Sequence, residues 1–317
     1  MSGELAIELS AVVVTVRDNE ALVLCLNLPD GDGPAYALPS GPFAPHAHRT
    51  FDLALRAFVR EQTGFNIGYV EQLYSFGDDD REAVIPGMEA ARIISLGYLA
   101  LTNDNTFRAR INAAWAPFTR CFPWANWRDQ REDGRNPALE ALRGPLAQWC
   151  DAAPTPEDAR LRRRRVDVLF PSDFDDWNEE RVLDRYELLY SARLIEEAQR
   201  KTPGAALPAS GEPMASDHRR ILATALSRLR GKLKYRPIIF ELTPPRFTLL
   251  ELQKSLEALT GLRLHKQNFR RGLERTGFVA PTGQMREDTG GRPAELYAYD
   301  RDRFRFSPSS GLSLPRA

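Results

Sequence analysis

Residues 248 to 277 contain two short helical patterns joined by a glycine turn, and this feature constrains the fold more than any other. Thr248 is a predicted N-cap because Glu251 follows it three residues later, as in a capping box. The helix that begins there ends at Gly261, and a second helix ends at Gly277. Helix, short turn and helix is the helix-turn-helix arrangement, in which the second helix enters the major groove of DNA.

The second helix, predicted over residues 265–275, has an apolar side and a polar side. Phe269 and Leu273 lie four residues apart and supply the core face. Arg bridges guanine, Gln and Asn bridge adenine, and Lys suits phosphates, so this helix has the chemistry for reading bases. The predicted DNA contacts are the cap residue Thr248 and the polar residues of the second helix, Lys266, Gln267, Asn268, Arg270 and Arg271.

A β-wing is predicted immediately after this helix. Residues 278–280 and 294–299 favour two short strands around a polar loop that contains three glycines. Arg286 and Arg292 in that loop are the predicted wing contacts to the DNA backbone or minor groove. The alternative for the module is a small winged domain that contacts protein.

The distribution of charge favours DNA binding over protein contact. Residues 218–317 contain 20 Lys and Arg against 9 Asp and Glu, a net charge of +11. The whole chain has 43 of each class, so the preceding residues carry −11. A basic module joined to an acidic one is typical of a polyanion-binding domain attached to a sensor.

The composition indicates two packed domains, since 317 residues with 43% hydrophobic and 27% charged exceed what one small core needs. No apolar run approaches the roughly 20 residues that span a bilayer, and the first residues do not have the pattern of a signal peptide. We therefore expect a cytoplasmic location. The three cysteines, Cys25, Cys121 and Cys150, are too far apart for a metal knuckle and are expected to be buried or incidental thiols.

The N-terminal part alternates strand and helix patterns. Residues 11–16 and 21–26 predict a hairpin, residues 50–62 a helix ended by Gly64, and residues 92–102 a further strand.

A helical region is predicted next. Helices are expected over residues 139–149 and 178–199, a linker over 201–216, and a basic amphipathic helix over 217–233. The four arginines at 162–165 favour a solvated helix face, with a separate phosphate contact as the alternative.

The segment from Leu38 to Phe65 resembles a Nudix box, whose pattern is G-x5-E-x7-R-E-U-x-E-E-x-G-U. The glycine at 41 and the closing string REQTGF match, although the spacing is two residues too long. Aligned back from the closing glycine, the box arginine and its following glutamate fall on Ala57 and Phe58, and the Glu-Glu pair falls on Glu61 and Gln62. Nudix hydrolysis needs several carboxylates to hold Mg²⁺, so we expect a binding pocket without efficient hydrolysis and no metal site.

The resemblance extends beyond this box to the Nudix-related regulators of NAD metabolism, the NrtR type and especially the NadQ type. It is carried by the strings LYSFGD at 73–78, WNEE at 177–180, RYELLY at 185–190, KQNFRR at 266–271 and GRPA at 291–294. It implies an α+β protein with an N-terminal Nudix-like α/β/α sandwich, a helical connecting region and a C-terminal winged helix-turn-helix. The expected domains are residues 1–135 for the sensor, 136–216 for the connector and linker, 217–306 for DNA binding, and 307–317 for a flexible tail.

The resemblance also implies a function. The chain is expected to be a homodimeric repressor of NAD biosynthesis genes that binds a palindromic operator and responds to an adenine nucleotide, namely ATP, ADP-ribose or NAD, with no required cofactor. An inherited Nudix pocket would place Arg56, Arg60 and Glu61 near a diphosphate, and Tyr36 or Phe76 against adenine. The alternatives are an active Nudix-type nucleoside diphosphate hydrolase with a nucleic-acid-binding tail, and an interaction adaptor without operator specificity.

Overall fold

The structure is a computed structural model. It describes residues 5–28, 36–78, 91–103, 112–128, 135–200, 208–287 and 293–300. The predicted tail at 307–317 lies outside these ranges.

Seven strands form one mixed sheet in the N-terminal part of the chain. Their bounds are β1 Leu5–Arg17, β2 Glu20–Asn27, β3 Tyr36–Ala37, β4 Ser40–Pro42, β5 Tyr69–Phe76, β6 Arg92–Leu101 and β7 Ala113–Pro117. The order across the sheet is β3-β2-β1-β6-β5, with β4 paired to β1 and β7 paired to β2. The predicted β1–β2 hairpin is confirmed, and its turn places Asp18 and Asn19 at positive φ, as a tight two-residue turn requires.

The described residues also form eight α-helices. Their bounds are α1 Phe51–Thr63, α2 Phe118–Cys121, α3 Pro137–Asp151, α4 Pro156–Leu169, α5 Val182–Ser191, α6 His218–Tyr235, α7 Leu249–Thr260 and α8 Lys266–Thr276. Both faces of the sheet are covered, with α1 on one face and α6 on the other, so the predicted α/β/α sandwich is confirmed. Within the described chain, no helix has the length and apolarity to cross a membrane.

Local sequence signals explain where α1 begins and ends. The Thr50 hydroxyl accepts a hydrogen bond from the Leu53 amide at 3.2 Å, and Gly64 ends the helix at φ 80°. Leu55 and Val59 are fully buried against the sheet. The side of α1 that carries Arg60 and Glu61 is exposed, and Phe58 and Gln62 are half-buried.

The position of α6 differs from the expectation that it belongs to the DNA-binding module. Its Ile221 packs against β6, where a Cβ at Gly97 would lie 2.9 Å from the Ile221 Cγ2 atom. Arg219 and Arg230 are completely buried, although a basic amphipathic helix was expected to expose such residues. The helix thus completes the first domain's sandwich and lies between the two parts of the molecule.

The connecting region also departs from expectation in two places. The helix expected over 178–199 is shorter, because Arg193 adopts a positive φ after α5 and only a 3₁₀ turn follows at Glu196–Gln199. The described part of the expected linker is packed against the first domain: Met214 is fully buried and bridges to Tyr36 on β3. Free Cys25, Cys121 and Cys150 are buried as expected.

The C-terminal module has the predicted winged helix architecture. Gly261 and Gly277 end α7 and α8 in the left-handed region, at φ 72° and 63°. The wing consists of β8 Val279–Arg286 and β9 Ala294–Tyr299, which pair in antiparallel fashion. Phe247, just before α7, pairs with Tyr297 and fixes the wing to the helices.

Candidate nucleic-acid interface and nucleotide site

The exposed side of α8 carries the predicted base-reading residues. Phe269 and Leu273 are buried, so the helix is held in place by its apolar side. The structure exposes the other predicted contacts on this helix, Lys266, Gln267, Asn268, Arg270 and Arg271. Donors of both base-specific and phosphate-binding types therefore lie on one accessible helix face.

Thr248 has a structural role in this module. Its hydroxyl accepts from the Glu251 amide at 3.2 Å, and the Glu251 carboxylate accepts from the Thr248 amide at 2.7 Å, so the predicted capping box is present. The Thr248 side chain is buried, which leaves little of it for DNA.

The wing is tied to α7 by polar side chains. Arg286 is ion-paired with Glu251, and Arg246 donates to the Gln284 side chain at 2.7 Å. Arg286 is therefore a partly buried positioning residue as well as a predicted DNA contact. The predicted contact Arg292 lies outside the described residues. Arg246 was missed because a lone arginine before the first helix has no signal in the sequence.

The turn of the helix-turn-helix docks directly on the first domain. The Trp127 amide donates to the Gly261 carbonyl at 2.7 Å, and a Cβ at Gly261 would lie 2.3 Å from the Ala125 carbonyl oxygen. Arg230 of α6 donates to three carbonyls from separate segments, those of Leu259, Glu179 and Ala125, at 2.8, 3.0 and 3.3 Å. One buried guanidinium thus joins α7, the connector and the first domain.

Two positions of α1 where a Nudix box has glutamates carry Phe58 and Gln62 in this chain, and both side chains contact residues 40–41. The Phe58 ring packs on the backbone of Gly41, where a Cβ would lie 2.8 Å from ring carbons, and stacks edge-on against His48. The Gln62 side chain accepts a hydrogen bond from the Ser40 amide at 3.0 Å and donates one to the Ser40 carbonyl at 2.6 Å. Among the described residues, no group of three or more His, Cys, Asp or Glu side chains is placed to hold a metal ion.

The predicted nucleotide-binding residues do not all come together. Arg56 is ion-paired with Asp52 and donates to the carbonyls of Ile67 and Gly68, so it stabilises the loop after α1. Arg60 and Glu61 are exposed on the last turn of α1.

The two predicted stacking residues lie on the opposite side of the sheet from α1. Phe76 is buried in the core beneath Arg220, whose guanidinium carbon is 5.4 Å from the ring centroid, so the structure does not support Phe76 as an exposed stacking surface. Tyr36 is half-buried, and its hydroxyl accepts from Arg120 at 2.6 Å.

One half-buried aromatic residue on the α1 side of the sheet was not suggested by the sequence. Trp115 of β7 is half-buried near Phe65, and the Arg17 guanidinium lies over its ring at 4.8 Å from the centroid. A tryptophan within a strand pattern indicates core packing, so only the three-dimensional neighbours distinguish it.

Comparisons with known proteins agree with this architecture. Residues 239–299 match the family model for the NrtR DNA-binding winged helix domain, which begins after α6. A curated relative, the ADPR responsive transcriptional repressor NtrR of Acinetobacter baylyi, is 38% identical over 103 residues, which is 32% of this chain and 41% of the relative. The alignment thus spans less than half the length of that relative.

Solved structures share the fold over nearly the whole chain. Shewanella oneidensis NrtR complexed with a 27mer DNA superposes with a TM-score of 0.53 at 18% identity, covering 97% of this chain and 98% of that one. A MutT/nudix family protein from Enterococcus faecalis gives a TM-score of 0.53 at 15% identity, covering 95% and 88%. The chain thus shares its fold with these structures over nearly its whole length, and its residues 239–299 match the NrtR winged helix family model.

Proposed function

We propose that this protein is a transcriptional repressor of NAD biosynthesis genes that binds a palindromic operator as a homodimer. The observation that carries the proposal is the exposed α8 face, where Arg270 and Arg271 stand beside amide side chains on a helix held by a buried apolar side. The similarity to an NrtR winged helix supports DNA as the partner. A two-fold operator follows because helix-turn-helix dimers present two recognition helices about one DNA turn apart.

The proposed effector is ADP-ribose. Of the three adenine nucleotides that the sequence left open, this one is supported by the relative's description as ADPR responsive. We place its diphosphate at the last turn of α1, near Arg60, and its adenine against Trp115 rather than Phe76. Effector binding then changes DNA affinity by favouring one dimer geometry.

Hydrolysis of the effector is not part of the proposed function. Phe58 and Gln62 occupy positions where a Nudix box carries glutamates, and both side chains are engaged with the backbone of residues 40–41. Incubation with ADP-ribose and Mg²⁺ should therefore release no AMP. Release at a turnover that scales with protein concentration would instead favour the hydrolase.

The test of DNA binding uses promoter fragments of NAD biosynthesis genes at fixed salt, with and without ADP-ribose. Wild-type protein should bind one fragment specifically and respond to the nucleotide. The variant Arg270→Ala/Arg271→Ala should lose at least ~30-fold in affinity, since each bidentate contact contributes about 1–3 kcal/mol. Arg49→Ala/Arg92→Ala, which removes the same charge from exposed positions of the first domain, is the matched control.

The nucleotide site has its own variant. Arg60→Ala should weaken ADP-ribose binding in calorimetry while leaving DNA affinity in the absence of nucleotide unchanged. Arg56 is unsuitable for this purpose because its hydrogen bonds stabilise the loop after α1. Equal nucleotide affinities in wild type and Arg60→Ala would show that the site lies elsewhere.

A further inference from the structure

Helix α4 contacts α3 and α5 but is largely exposed. Of its 14 residues, Leu169 alone is buried. Leu161 and Val168 are 53% and 48% exposed, and their spacing of seven residues places them on one side of the helix. Arg164 and Arg165 lie between them, and neither has a hydrogen bond or ion pair within the part of the chain that the structure describes. Two large apolar side chains exposed on one side of a helix leave apolar surface that a partner can bury.

This side of α4 forms one wall of a groove whose other wall is acidic. The facing helix α5 contributes Asp184, Glu187 and Ser191. Glu187 is ion-paired with Arg220 at 2.5 Å, and Asp184 is exposed. One end of the groove is closed by Trp149, whose ring lies under the Arg162 guanidinium at 4.5 Å from the centroid.

Arg164 and Arg165 on α4 and the exposed Asp184 on α5 carry opposite charges, so α4 of one copy is complementary in charge to α5 of another. In a two-fold pair, the basic and apolar side of α4 from one copy faces the acidic wall of the other, and the same contact is made twice. Leu161 and Val168 then lose their exposure, and Arg165 of each copy faces the other copy's Asp184. DNA fits this groove poorly because Asp184 and Glu187 would repel phosphates.

We infer that the α4–α5 groove is the surface on which a second copy of this chain binds. The inference gives the homodimer of the proposed function a location, and it rests on that function only in this respect. Self-association through this groove requires neither DNA nor nucleotide. It is therefore measured in their absence. A dimer that forms through another surface overturns this inference and leaves the proposed function, whereas a dimer that forms here without operator binding overturns the function alone.

The test is a charge exchange followed by analytical ultracentrifugation of the full chain. Arg165→Asp and Asp184→Arg each place like charges across both contacts of a homodimer, and each should weaken self-association at least 10-fold. An equimolar mixture of the two variants should restore wild-type affinity, because every contact between unlike copies then pairs opposite charges. Restoration in the mixture excludes a contact made within one chain.

An apolar variant gives independent evidence. Leu161→Glu/Val168→Glu should be monomeric with an unchanged circular dichroism spectrum, whereas Leu53→Glu, a residue on α1 that is 51% exposed, should self-associate like wild type. The inference is overturned if wild type stays monomeric, if the single charge variants associate as wild type does, or if the mixture shows no gain. A loss of DNA affinity on Arg165→Asp without any change in mass would instead make α4 a phosphate contact.

Discussion

At the scale of single residues, His218 connects α6 to the start of the Nudix-like segment. Its Nδ1 atom accepts a hydrogen bond from the Leu38 amide at 3.0 Å, and the ring is buried. Burial, together with the nearby Arg200, lowers the pKa of His218 from 6.5 to about 4. The folded protein therefore keeps this ring neutral at pH values where an exposed histidine is protonated.

The first prediction is a pH dependence of stability. An unfolded histidine titrates near 6.5, so between about pH 6.5 and pH 4 the unfolded state binds a proton that the folded state does not. The free energy of unfolding should therefore fall as pH falls, with His218 contributing about 2 kcal/mol of loss at pH 5 relative to pH 7. Urea unfolding of wild type and His218→Asn at both pH values measures it, since asparagine retains an acceptor for Leu38. Equal losses in the two proteins would contradict the assignment.

Arg230 carries the second prediction. It is completely buried and satisfies three carbonyl groups, and its pKa is lowered to about 10 chiefly by burial. Arg230→Met keeps the aliphatic packing but leaves those carbonyls without a donor, and should reduce the free energy of unfolding by at least ~2 kcal/mol. Arg228→Met, at an exposed position on the same helix, should change it by less than ~0.5 kcal/mol. Denaturant titrations of both variants that coincide would refute the role given to Arg230.

At the scale of elements, the ends of α1 could be predicted from the sequence, but the packing of its side chains could not. Its caps at Thr50 and Gly64 follow from residue type, but the contact of the Phe58 ring with Gly41 depends on the path of the chain between them. Gly41→Ala should cost about 1–3 kcal/mol through overpacking against that ring, and Gly41→Ala/Phe58→Leu should recover part of the loss. Gly68→Ala is the control, since a Cβ there meets no atom within 4 Å. Thermal unfolding of the three variants measures the effect, and a double variant no more stable than Gly41→Ala would place the strain elsewhere.

Elements set by local signals could be predicted from the sequence, whereas features set by long-range contacts could not. The capping box at Thr248 and the glycine end of α7 are local, so the helix-turn-helix was predicted to within one residue. The burial of α6 was not predictable, because Arg219 is satisfied by carbonyls of Cys121 and Ser210 that are far away or in a loop. Phe76 was taken for a stacking residue for a similar reason: its alternation in β5 does not reveal which side of the sheet faces α6.

At the scale of the whole molecule, one apolar core runs through both domains. Buried residues from Val12 on β1 to Phe278 after α8 belong to a single cluster, and α7 packs against β1 and β2. A protein built in this way should unfold as one cooperative unit, since neither part keeps its core when the other is lost.

Tryptophan fluorescence provides a test of that cooperativity, because all five tryptophans precede residue 178 and none lies in the winged helix domain. Leu256→Ala removes a fully buried side chain from α7 and should cost about 2–5 kcal/mol. If the two parts share one core, the tryptophan transition in urea moves to lower concentration together with the circular dichroism transition. Leu250→Ala, on the same helix but 54% exposed, should leave both transitions in place. A tryptophan transition that stays fixed while circular dichroism resolves an earlier step would instead mean that the winged helix unfolds independently. The proposed nucleotide site would then be coupled to DNA binding only through contacts weaker than a shared core provides.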